Sequence, residues 1–119
     1  MAKKISFTFS NISKNGVVET SGHPCDYAAE LLGNLSTGNK KFSAPLRSAS
    51  GFEVRGLYLG MNEDSFRLEY ILPDDFKGDF ILCAETLRSA FNQECVLYEC
   101  QGRSYYSAWL VYEDKTEEI

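Results

Sequence analysis

The chain has 119 residues, of which 44% are hydrophobic and 24% charged, and its formal net charge is −5. This length is typical of one domain, and the apolar content excludes an intrinsically disordered chain. No apolar run approaches the roughly 18 residues of a membrane-spanning helix, and the N-terminus lacks the continuous apolar stretch of a signal peptide. We therefore expect a single domain over residues 1–119, located in the cytoplasm.

The first third of the chain predicts two strands and a helix. Residues 4–10 alternate apolar and hydroxyl side chains, which is typical of a strand with one buried face. Asn15-Gly16 is a strong turn signal, after which residues 17–20 can return as a second strand and close a hairpin. Pro24 suits the first turn of a helix, and apolar residues at helical spacing extend this helix to Leu35.

After a long polar loop at residues 36–51, the rest of the chain has a loosely similar order of elements, without an internal sequence repeat. The predicted elements are strands at 52–60 and 65–72 around a polar turn at 61–64, a helix over 79–92, and strands at 94–99 and 104–113. The order ββα-loop-ββα-ββ predicts an α+β fold, with an antiparallel sheet of five or six strands and both helices packed on one face. We expect the acidic tail, residues 113–119, to fray.

The net charge is unevenly distributed. Residues 1–50 carry six basic and three acidic side chains, whereas residues 51–119 carry six basic and fourteen acidic ones. One interpretation is an ordinary solvated surface. The other is an acidic face that docks on a basic protein, with tyrosine and tryptophan as anchors. The residues predicted for that face are Glu63, Asp64, Asp74, Asp75, Glu94, Tyr98, Tyr105, Tyr106, Trp109 and Tyr112.

A basic loop at residues 38–47 offers a different kind of site. Lys40, Lys41 and Arg47 flank the aromatic Phe42, a combination that can bind phosphate or stack on a base. The loop therefore predicts either an anion or nucleotide site or an ordinary solvated connection. The acidic balance of the whole chain argues against direct nucleic-acid binding.

One segment combines the residue types of nucleophilic catalysis. His23, Cys25 and Asp26 lie together at a helix entry, where the helix dipole lowers the pKa of a thiol. Neighbours in sequence point in different directions, so an ordinary helix entry is the alternative to a thiol enzyme. The sequence contains no G-x-S-x-G, phosphate-loop or dinucleotide-binding glycine motif.

Metal and cofactor sites are not expected. The chain has one histidine, and its cysteines (Cys25, Cys83, Cys95 and Cys100) form no C-x-x-C pair. The acidic pairs Glu63-Asp64 and Asp74-Asp75 lie at opposite ends of one predicted strand, too far apart to form a single site. We expect the cysteines to be reduced and mostly buried.

One stretch resembles small uncharacterised proteins of bacteria and their phages. It runs from Glu63-Asp64-Ser65-Phe66 through the second helix to Phe91-Asn92-Gln93-Glu94-Cys95-Val96-Leu97. The resemblance implies a small accessory protein of a mobile element, acting in the cytoplasm of a bacterial host. The small acidic build is also similar to that of phage-encoded defence inhibitors, including anti-CRISPR proteins.

These observations together predict a non-catalytic protein-binding inhibitor. It would act against a host defence or nucleic-acid-binding protein through the acidic, aromatic-rich face, with a homodimer as a second association to be considered. The alternatives are a nucleotide- or phosphate-binding module, or a small enzyme, that uses the loop at residues 38–47. No cofactor and no catalytic residue are assigned.

Overall fold

The structure, a computed structural model, describes the backbone of residues 1–18, 20–58 and 61–119, and their side chains other than those of 56–58 and 61–63. Its elements follow the predicted order closely. They are β1 (Ala2–Ser10), β2 (Ile12–Ser13), β3 (Gly16–Val17), α1 (Pro24–Ser36), β4 (Ser50–Tyr58), β5 (Met61–Pro73), α2 (Phe80–Ala90), β6 (Cys95–Gln101), β7 (Tyr106–Tyr112) and β8 (Thr116–Glu118).

Six of the strands form one sheet in the order β4-β5-β1-β6-β7-β8, and every neighbouring pair is antiparallel. β1 is central because Ile5, Phe7 and Phe9 on one of its faces are at most 2% exposed and must be covered on all sides. The predicted α+β fold, with an antiparallel sheet of six strands and two helices, is confirmed.

The helices begin where side chains satisfy their first backbone N–H groups. His23 caps α1, since its Nδ1 accepts from the Cys25 N–H at 3.1 Å. Asp79 caps α2 by accepting from the Leu82 N–H at 3.0 Å. Each helix then turns an apolar stripe toward the sheet, and this stripe includes Leu32 in α1 and Leu87 in α2, both fully buried.

The N-terminal hairpin differs from the prediction. Among the described residues of the predicted second strand, Val17, Val18 and Thr20 do not pair with β1, because β5 and β6 occupy its two edges. The Asn15-Gly16 turn instead closes a short separate hairpin, in which β2 pairs with β3. The predicted turn at 61–64 is also wrong, since β5 already begins at Met61 and pairs there with Tyr58 of β4.

The C-terminal segment adds the last strand of the sheet. β8 pairs with β7 through Trp109–Glu118, Leu110–Glu117 and Val111–Thr116, although all its residues are exposed. The predicted fraying of residues 113–119 and the single-domain organisation stay predictions. In the described part of the chain, neither helix has the length and apolar character needed to cross a membrane.

Candidate functional site

Polar and charged residues occupy the centre of the outer face, the side of the sheet turned away from α1 and α2. Side chains alternate between the faces of a strand, so the residues between the buried ones point outward. On β1 these are Ser6 and Thr8, which are paired in register with Glu69 and Arg67 of β5. On β6, Glu99 is paired with Ser6 from the other side.

These strands bring together four charged side chains and one tyrosine, a group that we call the charged cluster: Lys4, Arg67, Glu69, Glu99 and Tyr106. Arg67 is its centre, donating from Nε to Glu69 Oε2 at 2.7 Å and from Nη1 to Glu99 Oε1 at 2.9 Å. Lys4 Nζ lies 4.0 Å from Glu69 Oε2, and the Tyr106 hydroxyl donates to Glu99 Oε2. Each glutamate therefore has two partners.

The pairing register sets the separation of the two glutamates. Both lie directly opposite Ser6, one on each side of β1, so their Cα atoms are about 10 Å apart, two interstrand spacings. Ser6 itself is 2% exposed. The side chain of Arg67 bridges this gap and holds two carboxylates side by side on one surface.

The charged cluster is largely shielded from solvent. The side chains of Arg67, Glu69 and Glu99 are 27%, 20% and 17% exposed. Burial lowers the pKa of Arg67, but the hydrogen bonds and charges of both glutamates outweigh it and raise the pKa above its ordinary value. The hydrogen bond to Glu99 raises the pKa of Tyr106. Arg67 stays charged and Tyr106 stays protonated at neutral pH.

A buried hydroxyl lies next to this cluster. Thr8, opposite Arg67 on β1, has an Oγ1 atom that is buried and has no hydrogen-bond partner within the described residues. Unpaired buried hydroxyls are rare because leaving one unsatisfied costs roughly 1–3 kcal/mol. Thr8 Oγ1 is therefore an unsatisfied polar atom opposite Arg67, beneath the outer face.

Exposed apolar and aromatic surface lies at the rim of the charged cluster, and the ring of one cluster member, Tyr106, forms part of it. Phe52 on β4 is 46% exposed, Ile71 on β5 66% and Tyr106 on β7 54%. A partly buried set of carboxylate and guanidinium groups with an aromatic rim suits a small ligand that carries positive charge, a carboxylate and a flat ring.

The acidic residues predicted for a docking face do not come together. Asp64 and Asp74 lie near the two ends of β5, and Asp64 forms an exposed ion pair with Arg55 at 3.4 Å. Asp74 and Asp75 are exposed in the turn that follows β5, and Glu94 is exposed just before β6. The Glu63 side chain lies outside the described residues. Their role in partner binding stays a prediction.

The predicted aromatic anchors are divided between the two faces of the sheet. Tyr98 is buried, and its ring stacks between those of Phe7 and Trp109, with centroids 5.6 and 5.1 Å away. The two other strand tyrosines, Tyr106 and Tyr112, point to the outer face. The fifth anchor, Tyr105, precedes β7; it is 51% exposed, and its hydroxyl lies 3.7 Å from Cys100 Sγ. At most a subset can belong to one surface.

The basic loop lies on the helix side of the sheet, away from the charged cluster. Phe42 in the middle of the loop is 7% exposed and packs edge-to-face against Phe80 of α2. Lys41 pairs with Asp79 at 3.5 Å, whereas Lys40 and Arg47 are exposed. Anion binding by these three basic residues stays a prediction.

The geometry around Cys25 is that of a helix entry. The thiol is 3% exposed, and Sγ lies 3.8 Å from the carbonyl oxygens of Phe52 and Arg67. Burial raises the pKa of Cys25 above its ordinary value. His23 Nδ1 is occupied by the Cys25 backbone and its Nε2 faces Glu53 at 3.5 Å, so the imidazole does not act on the thiol. This arrangement does not favour a reactive thiolate at Cys25, and the thiol-enzyme alternative stays a prediction.

Two other features of the structure are weaker candidates for a functional site. Within residues 1–18, 20–58 and 61–119, no group of three His, Cys, Asp or Glu side chains is arranged to hold a metal ion. A groove of about 430 Å³ lies between the β2–β3 hairpin and the helices, lined by hydroxyl, amide and apolar side chains. This groove lacks the charged groups that set the outer face apart, and we therefore place the candidate site at the charged cluster.

Sequence reasoning missed the central residues of this site. The outward alternation of Arg67 and Glu69 on one strand was visible in the sequence, and so was Glu99 on another. The sequence does not show that β1 lies between these two strands and that both glutamates are paired in register with Ser6. The acidic residues of the C-terminal half predicted either an ordinary solvated surface or a docking face, although Glu69 and Glu99 are partly buried and bound to Arg67.

Comparison with known proteins gives similarity at the level of structure. No protein-family model matches the chain, and no curated protein sequence matches it significantly. A solved structure of a phage SAM lyase in the apo state superposes with a TM-score of 0.65 at 19% identity, covering 95% of this chain and 90% of that one. The phage SAM lyase in complex with S-methyl-5'-thioadenosine gives 0.64 at 18%, covering 99% and 88%.

These neighbours correct the predicted function. At this level of identity the likeness establishes a shared fold. Both neighbours are phage proteins, so the resemblance to phage-encoded accessory proteins is supported, whereas the resemblance to anti-CRISPR proteins is not. Both structures are of a SAM lyase, which is an enzyme. This finding contradicts the prediction of a non-catalytic inhibitor and the prediction that the protein is not an enzyme. The chain shares nearly its whole fold with a phage SAM lyase.

Proposed function

We propose that the protein is an enzyme that cleaves SAM (S-adenosylmethionine) and releases S-methyl-5'-thioadenosine, and that it does so at the charged cluster. The observation that carries this proposal is the superposition of almost the entire chain on a phage SAM lyase, apo and bound to S-methyl-5'-thioadenosine. The partly buried Arg67–Glu69–Glu99 arrangement supports it independently. Holding two carboxylates on one arginine in a partly buried place costs desolvation free energy, which charges on an ordinary solvated surface do not incur.

The chemical groups of SAM match those of the cluster. SAM carries two positive charges, on its sulfonium and its α-ammonium group, and two carboxylates are available to bind them, those of Glu69 and Glu99. Its own carboxylate can bind to Arg67, whose guanidinium has five N–H donors, or to Lys4 beside it. The adenosine portion requires an apolar and aromatic surface, which the rim of the cluster supplies.

The product identifies the bond that would break. S-methyl-5'-thioadenosine keeps both the methyl and the adenosyl group of SAM, so the bond from sulfur to the amino-acid chain is cleaved and its electron pair stays on sulfur. A lyase adds no water. The four-carbon fragment must therefore either close on its own carboxylate or lose a proton to a base.

The cluster can serve either course of the reaction. Arg67 can orient the substrate carboxylate toward the carbon attached to sulfur, which favours ring closure by proximity. Glu69 or Glu99 can accept a proton if the fragment instead becomes unsaturated. In both cases Glu69 and Glu99 first bind the positively charged end of SAM.

The proposal is tested by following SAM and S-methyl-5'-thioadenosine chromatographically with the purified protein. We expect SAM to be converted to S-methyl-5'-thioadenosine, and Glu69→Gln to lower kcat/KM by about 100-fold or more, the scale of losing one charged catalytic or binding group. Glu117→Gln is the matched control, since Glu117 is a strand glutamate that pairs with Lys115 at 2.9 Å and is half exposed. Equal rates for the two variants would contradict a role for the cluster.

The predicted association with a basic protein and the predicted homodimer stay predictions, as does a cytoplasmic location. A homodimer is tested by light scattering of the purified protein across a range of concentrations. A mass of one chain at every concentration would contradict it.

A further inference from the structure

Phe52 stands out on the outer face as an exposed aromatic side chain without a ring partner among the described residues. It is 46% exposed and lies directly opposite Arg67, on the edge strand β4. A phenylalanine ring left half in water gains only part of the free energy that its full burial would contribute. The ring is therefore available to cover a ligand held by the charged cluster.

The backbone beneath this ring is firmly held. β4 pairs with β5 on both sides of Phe52, at Ser50–Glu69 and Val54–Ser65. From the helix side, Cys25 Sγ contacts the Phe52 carbonyl oxygen at 3.8 Å. The ring is thus presented from a fixed position, as a stacking surface requires.

The position of Phe52 relative to Glu69 suits a nucleoside. The two residues are diagonal neighbours on paired strands, so their Cα atoms are about 7–8 Å apart. A base stacked on Phe52 would leave the rest of the ligand pointing over Arg67 and Glu69. The positively charged sulfonium group would then lie beside the Glu69 carboxylate, which attracts it.

Other rim residues fit this role less well. Ile71 offers no ring, and the hydroxyl of Tyr106 is committed to Glu99, on the far side of β1 from Glu69. Aromatic side chains stack on any nucleobase because every base has a flat π face. Phe52 is the rim residue that has a free ring and also adjoins the Arg67–Glu69 end of the cluster.

We propose that Phe52 stacks on the adenine ring of the ligand and thereby determines the preference of the site for an adenosyl sulfonium over a simple one. This inference rests on the proposed function. It adds that recognition of the base comes from the edge strand β4, whereas recognition of the charged groups comes from β1, β5 and β6.

The test measures binding of S-methyl-5'-thioadenosine and of adenosine by calorimetry, with four forms of the full chain. They are the wild type, Phe52→Leu, Phe52→Tyr and the control Tyr27→Leu, which removes a 42% exposed aromatic ring on α1 away from the cluster. We expect Phe52→Leu to raise Kd for both ligands by about tenfold, within the range of base–aromatic stacking. Phe52→Tyr should bind within about threefold of the wild type, and Tyr27→Leu should bind like the wild type.

Steady-state kinetics separate a stacking role from a merely structural one. Loss of stacking should raise KM for SAM while changing kcat little, because the base is bound equally in the ground and transition states. A thermal melt confirms that each variant is folded, and recovery in Phe52→Tyr shows that the ring is what matters.

The outcomes distinguish the two proposals. A wild-type protein that neither cleaves SAM nor binds S-methyl-5'-thioadenosine overturns the proposed function. A wild-type protein that does both, together with a Phe52→Leu variant of unchanged Kd and KM, overturns only the assignment of Phe52. A Tyr106→Leu variant that alone loses adenosine binding would likewise overturn it, by placing the base at the other end of the cluster.

Discussion

Arg67 on β5 donates a hydrogen bond to Glu99 on β6 at 2.9 Å, reaching over the strand that separates them. The same guanidinium holds Glu69 at 2.7 Å, so two carboxylates from non-neighbouring strands share one cation. Pairing of this kind offsets the free-energy cost of placing two carboxylates in a partly buried setting. It makes Arg67 the residue on which the candidate site depends.

Removal of that arginine is the first prediction. Arg67→Met leaves two partly buried carboxylates without their main donor, and we expect the free energy of unfolding to fall by about 1–3 kcal/mol. Arg55→Met is the matched control, because its ion pair with Asp64 is about 70% exposed on both sides and contributes on the order of 0–1 kcal/mol. Urea unfolding measures both changes. Equal stability of the two variants would mean that Arg67 makes only a surface contact.

The close approach of α1 to β4 gives a second prediction. A Cβ at Gly51 would lie 2.5 Å from Cys25 Cβ and 3.0 Å from its Sγ, so Gly51→Ala forces the helix away from the strand. We expect a loss of about 1–3 kcal/mol in thermal or urea unfolding. Gly22→Ala meets nothing within 4 Å and serves as the control. If both variants unfold at the wild-type midpoint, the packing of α1 against Gly51 is wrong.

Gln93 provides a third prediction about stability. Its side chain is 2% exposed, accepts from the Ser10 N–H at 2.8 Å and donates to the Ser10 carbonyl oxygen at 3.1 Å, which ties the end of β1 to the segment after α2. Gln93→Leu removes both of these hydrogen bonds and should cost about 1–3 kcal/mol. Gln101→Leu, at an exposed position on β6, should cost far less. Equal decreases of the urea midpoint in the two variants would contradict this stabilising role of Gln93.

Alkaline pH should destabilise the fold, because burial raises the pKa of Cys83 from 9.0 to about 12. Between these values the unfolded chain releases the thiol proton while the folded chain retains it. The stability contributed by the protonated thiol is therefore complete below pH 9 and is lost as the pH rises toward 12. Burial also raises the pKa of Tyr70 and of Tyr98, so these two residues contribute to the loss of stability at alkaline pH in the same way as Cys83.

Urea unfolding at several pH values above 9 measures this effect. The free energy of unfolding should fall by up to about 1.4 kcal/mol per pH unit for each such group. Cys83→Ala lacks the thiol and should show a shallower fall than the wild type. Identical slopes in the two proteins would exclude Cys83 as a contributor.

The fold was largely predictable because its elements have strong periodicity. Residues 4–10 alternate, and the apolar residues from Phe80 to Phe91 follow helical spacing, so each pattern predicts an element with one buried apolar face. The structure has β1 and α2 at these places. The Asn15-Gly16 turn was also correctly read, but its hairpin is local. Nothing within residues 1–20 shows that β1 pairs on both edges with strands from much later in the chain.

The candidate site was less predictable for the same reason. Its residues lie on β1, β5, β6 and β7, and their proximity comes from strand order, which a single sequence does not reveal. Glu69 and Glu99 look like solvated acids until Arg67 is seen between them. Tyr98, in contrast, looked like an interface anchor but fills the core between Phe7 and Trp109.

Conversion of SAM by the purified chain is the decisive test of the proposed lyase activity. With the wild-type protein, we expect S-methyl-5'-thioadenosine to appear in a one-to-one ratio to the SAM consumed, and Arg67→Lys to slow this conversion, because an ammonium group cannot bridge Glu69 and Glu99 as the guanidinium does. Intact SAM after prolonged incubation with folded wild-type protein would contradict the account.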